Sequence, residues 1–70
     1  MELTEVKFIV YSGEAYNSAI ELVQNSSGWK LMWIDDLETY AEEDPLAEMT
    51  VFFDSAQHAT FFKLKMNLNE

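Results

Sequence analysis

The chain has no cysteine, one proline, two glycines and only four basic residues against thirteen carboxylates in 70 residues, a formal net charge of −9. Without cysteine, neither a disulfide nor a thiolate zinc ligand can reinforce a small core, and the redox compartment stays open with a lean toward the cytoplasm. Gly13 and Gly28 alone cannot write a phosphate-cradling loop or a dinucleotide fingerprint. The shortage of cations sets the chain against direct nucleic-acid binding, because approach to phosphates is repelled at moderate salt. Long apolar stretches are missing too. The longest, Phe8–Tyr11 and Leu31–Ile34, fall far short of the roughly 18 residues a membrane span takes. The acidic opening Met-Glu-Leu-Thr-Glu lacks the basic start and apolar region of a signal peptide, so a cytoplasmic location is expected.

What is present is apolar material: 49% of residues are hydrophobic and 14% aromatic, too much for a disordered acidic tail. Residues 1–70 are therefore read as a single small domain. Chains near this size bury only about 60% of the surface they expose when unfolded, which leaves aromatic packing and oligomerisation as the sources of added stability.

Val6–Tyr11 combines β-branched and aromatic residues before Ser12-Gly13 and reads as a largely buried strand. From Glu14, the spacing of Ala15, Ala19, Leu22 and Val23, with Tyr16 and Ile20 alongside, predicts an amphipathic helix. Asn25-Ser26-Ser27-Gly28 supplies its polar stop and a glycine suited to a left-handed conformation. Trp29–Ile34 reads as a second strand, apolar enough to predict cover on both faces. Trp29 and Trp33 have the same parity, which in a regular strand places both on one face. Seven of the fourteen residues from Asp35 to Glu48 are acidic and Pro45 interrupts any helix, so this stretch is expected to be a loop, with one helical turn around Leu37–Ala41. Met49–Phe53 is a third strand. Asp54 followed by Gln57 resembles a capping box, which predicts a second helix from Ser55 with Ala59, Phe62 and Met66 on its inner face. The alternation of Phe62, Leu64, Met66 and Leu68 with Lys63, Lys65 and Asn67 fits a fourth strand instead, and both readings stand. The expected fold is α+β, a small ferredoxin-like sheet in the order β-α-β-β-α with a fourth strand at the C-terminus as the variant.

Chemistry-bearing residues are few. His58 is the sole histidine, and the serines sit where turns and caps need them, so catalysis is not expected. Asp35, Asp36, Glu42, Glu43 and Asp44 are close in sequence, but the stretch has no glycine for the sharp bend of a calcium loop. No metal and no cofactor are expected.

The text Met49–Ala59 resembles the third strand and second helix of RNA-recognition-motif domains. Ala47, Glu48 and Met49 stand where that family's central motif carries basic residues and glycine, so the resemblance implies shared ferredoxin-like packing and not RNA binding. Val51-Phe52-Phe53-Asp54, then Ala59, then Phe62-Lys63-Leu64-Lys65 is similar to the C-terminal text of short uncharacterised proteins of tailed bacteriophages. That resemblance implies a phage origin and no activity.

An acidic surface steers encounter with basic partners and rejects acidic ones. The expected function is thus a non-enzymatic accessory protein that binds a host or partner protein with a basic face, as an inhibitor or nucleic-acid mimic. Asp35, Asp36, Glu38, Glu42, Glu43 and Asp44 would stand in for phosphates, and Trp29 and Trp33 are the candidate anchors. The alternative is a structural module that associates with itself through exposed aromatics.

Overall fold

On the first strand, Val6, Phe8 and Val10 are buried while Glu5, Lys7 and Ile9 between them are exposed, the period-two signature of a sheet packed on one face only. The computed structural model describes residues 2–41 and 43–66. It comprises β1 (Thr4–Val10), α1 (Gly13–Gln24), β2 (Trp29–Asp36), β3 (Ala47–Phe53) and α2 (Ala56–Met66). The strands form one sheet in the order β1-β3-β2, with β3 antiparallel to both neighbours. β1 and β2 therefore run parallel, separated by β3 and joined through α1. The protein is a small α+β domain.

Both helices cover the same side of the sheet. Ala19 and Val23 of α1 and Ala59 and Phe62 of α2 join Val6, Phe8, Val10, Met49, Val51 and Phe53 in one core. The Phe62 ring lies 5.2 Å from Phe53 and 5.8 Å from Phe8, centroid to centroid, both tilted, contacts worth about 0.5–1.5 kcal/mol each beyond burial. Ser12 caps α1, its hydroxyl accepting from the Ala15 amide at 3.1 Å. At the other end the Asn25 amide donates to Glu21 and the Ser26 hydroxyl to Leu22, which satisfies carbonyls the helix leaves free.

Several expectations change. β1 is buried on one face only, and so is β2, where Leu31 and Trp33 are exposed; among the described residues no helix covers the second face. The connection between β2 and β3 is shorter than the acidic stretch, because Asp35 and Asp36 extend β2 and Glu48 lies in β3. No helical turn forms at Leu37–Ala41, where paired strands on either side set the chain to turn. The cap of α2 is Ser55 and not Asp54: the Ser55 hydroxyl accepts from the His58 amide at 3.2 Å, and the Asp54 carboxylate is turned to the His58 ring. Residues 61–66 belong to α2, with Ala59 and Phe62 inward as the helical spacing requires. The period-two reading therefore fails over those residues. Its remainder, 67–68, lies outside the described residues.

Candidate interaction surface

Among the described residues the second face of the sheet carries no helix, and the strand register arranges its side chains in three rows. Glu5, Phe52 and Leu31 form the first, Lys7, Thr50 and Trp33 the second, and Ile9, Glu48 and Asp35 the third. Trp33 is 56% exposed, and Leu31 and Ile9 are each 43% exposed. Between Lys7 and Trp33 the short Thr50 side chain is buried, so the middle row dips. The result is a shallow depression of ≈ 340 Å³ bordered by Glu5, Lys7, Leu31, Trp33, Asp35 and Phe52. Lys7 Nζ lies 3.8 Å from Glu5 Oε2, an exposed pair of little energetic weight.

The two tryptophans part company. Trp29 pairs with Phe53 while Leu31 pairs with Phe52, so Lys30 is an extra residue in β2. A bulge of this kind breaks the alternation. Trp29 consequently packs half-buried against the core, and Trp33 points out on the open face. The expectation that both share a face is overturned at that one residue.

The carboxylates are also sorted. Asp35 sits directly opposite Glu48 on the open face, an arrangement of like charges that is unfavourable by about 0.2–1 kcal/mol. Asp36, opposite Ala47, falls on the other parity and is exposed at the strand end. Asp44 builds the turn: its Oδ2 accepts from the Tyr40 and Ala41 amides at 2.9 and 3.0 Å, while its own amide donates to Ala41 at 3.0 Å. The Tyr40 hydroxyl donates to the Glu38 carboxylate, which holds the phenol above its usual range, with slight desolvation adding to the effect. Glu43 is exposed, and Glu42 lies outside the described residues. Among the described residues, no group of three or more His, Asp or Glu side chains is placed to hold a metal ion.

A second polar cluster lies where β3 passes into α2. His58 Nδ1 is 2.6 Å from Asp54 Oδ1 and 3.3 Å from Ser55 Oγ. The hydrogen bond from His58 is the main reason the Asp54 carboxyl sits below its ordinary range, against a smaller opposing desolvation. Gly28 makes this possible. Its carbonyl accepts from the Asp54 amide at 2.8 Å, its φ is +84°, and a side chain there would meet Asp54 Oδ1 at 2.6 Å. Any other residue would have to adopt a left-handed backbone and displace the pair. Beside His58 is a groove of ≈ 350 Å³ walled by Phe61, Phe62 and Leu64 and edged by Ser26, Ser27 and Lys65. The Ser26 hydroxyl donates to the Leu22 carbonyl, whereas the Ser55 hydroxyl accepts from the His58 amide and also lies against the His58 ring nitrogen that contacts Asp54.

Sequence reasoning found Trp33 and Asp35 but missed Phe52, Ile9, Leu31 and Glu48 as members of one surface. The signal was the alternation in Glu5–Val10, which already separates an inner from an outer set. No helix of the described residues is long and apolar enough to cross a membrane. No protein-family model matches the chain, and neither a curated protein nor a solved structure matches it.

Proposed function

We propose that this chain is a small, acidic, non-enzymatic accessory protein that docks on a basic face of a partner protein. The observation that carries the reading is Trp33, a large aromatic left 56% exposed in the middle row of the sheet face that no described helix covers, with Asp35 and Glu48 in the adjacent row. Aromatic anchors supply much of interface energy, and the carboxylate row selects a cationic partner and repels phosphate. The acidic hairpin beyond Asp36 extends the same field. In this reading the surface occupies a site that would otherwise take nucleic acid, as an inhibitor or mimic does, in the cytoplasm of a phage-infected host as the C-terminal resemblance implies. The strand order β1-β3-β2 supports reading the fold as ferredoxin-like short of its fourth strand.

The test is affinity capture from host-cell lysate in steps of rising salt, followed by titration of the captured partner against wild type and Trp33→Ala. Expected are a partner with a basic face, release at modest salt, and a loss of affinity of roughly tenfold or more for the variant. A partner bound equally well by Trp33→Ala, or a bond indifferent to salt, overturns the reading. The alternative, a self-associating structural module, draws on a different feature, the edge of β1 that no strand among the described residues pairs with.

A further inference from the structure

The order β1-β3-β2 leaves two sheet edges, and they differ. β2 is interrupted by the bulge at Lys30 and ends on Asp35 and Asp36, two devices that discourage addition of a strand. β1 runs through Thr4–Val10 without bulge, glycine or proline. The Val10 carbonyl accepts from the Leu46 amide at 2.8 Å, so the peptide groups of Val10, and by alternation those of Val6 and Phe8, face β3. The amides and carbonyls of Glu5, Lys7 and Ile9 are thereby directed outward, and among the described residues no strand pairs with them. Along this edge runs a groove of ≈ 610 Å³ walled by Val6, Phe8, Ile9, Tyr11 and Lys63.

The open-face side chains along this edge read Leu3, Glu5, Lys7, Ile9. Turned end for end, that text complements itself. In an antiparallel pairing whose two-fold axis passes beside Val6, Glu5 faces Lys7 of a second copy, and Lys7 faces its Glu5. Leu3 and Ile9, both exposed, face each other at the two ends, and Val6 meets Val6 on the helix side. Sliding by one step of the hydrogen-bond ladder in either direction sets Lys7 against Lys7 or Glu5 against Glu5, which is unfavourable. One register is therefore selected. Two of the four cations of a chain of charge −9, Lys7 and Lys63, border this edge, together with Glu5 and Glu48.

We propose that the chain forms a two-fold dimer through antiparallel pairing of β1 with β1 of a second copy, giving one continuous six-stranded sheet in the register that sets Glu5 against Lys7. This inference deepens the self-association alternative and is independent of partner capture through Trp33. The open faces of the two copies join side by side, and Trp33, on the far strand of each, stays free.

The experiment is sedimentation of the full chain from low micromolar to near-millimolar concentration, alongside Glu5→Lys, Lys7→Glu and the double exchange. Both side chains are exposed on the open face, and circular dichroism verifies that each variant is folded. Expected are a monomer–dimer equilibrium for wild type, a dissociation constant raised roughly tenfold or more by either single reversal, and recovery of the dimer in the double exchange. A monomer at every concentration overturns the proposal, as does a dimer that survives the single reversals or is not restored by the double exchange. Trp33→Ala is expected to leave the dimer intact, so failure here and failure of partner capture are told apart by different substitutions.

Discussion

The two faces of one sheet divide the work of this molecule. The helix-covered face meets α1 and α2 with Val6, Phe8, Val10, Met49, Val51 and Phe53, all buried. The open face alternates Glu5, Lys7, Glu48 and Asp35 with Ile9, Phe52, Leu31 and Trp33 in rows. Adjacent residues of the same strands serve opposite ends. The first face carries the apolar core, while the second carries a like-charge pair and an exposed tryptophan. In a chain this small, such a surface is affordable only because the three phenylalanines of the core interlock on the other side.

The largest expected effect separates the faces directly. Phe62→Ala removes the ring that touches both Phe8 and Phe53 and should cost about 3–5 kcal/mol, against a total stability of roughly 0.05–0.15 kcal/mol per residue for a domain of this kind. Trp33→Ala, of similar chemistry on the open face, should cost about 1 kcal/mol or less. Urea unfolding followed by circular dichroism reads both, and comparable losses would erase the distinction drawn between the faces.

A smaller effect of opposite sign is expected from Asp35→Asn. Relieving the charge opposed to Glu48 should stabilise the fold by about 0.2–1 kcal/mol while weakening capture of a basic partner, a gain in stability at the expense of binding. A variant that is less stable than wild type would show that the carboxylate has a structural role on that face.

The smallest effect concerns the polar closure of the covered side. Asp54 is held below its unfolded value by His58, so its contribution is complete above the ordinary carboxylate range and is lost as pH falls through the lowered folded value. Asp54→Asn should therefore lower stability at neutral pH and flatten its decline in acid, read from urea midpoints at a series of pH values. An acid limb as steep in the variant as in wild type would place the pH dependence elsewhere.

Much of the architecture was legible because local spacing carries it. The stripe of Ala19 and Val23 marks α1, and Ala59 with Phe62 marks the inner face of α2. Strand positions followed from β-branched and aromatic runs, though their ends moved: Asp35, Asp36 and Glu48 looked like loop by charge and became strand because pairing with β3 extends the ladder. The surface was less legible. Trp29 and Trp33 were separated by a bulge at Lys30 that no composition rule announces, and the Asp44 carboxylate also accepts from the Tyr40 and Ala41 amides of the turn.

Charge, the absence of cysteine, the types of the first four elements and the inward positions Ala19 and Val23 of α1 follow from the sequence alone, whereas the helix–strand choice for the last element stayed open and Ala15 of the same stripe is exposed. Tertiary structure alone decided that β3 is the central strand, that no described helix covers the second sheet face, and that Gly28 must lie against Asp54 and His58. Those facts depend on which distant segments pair, and a local period does not carry information about the partner across the ladder.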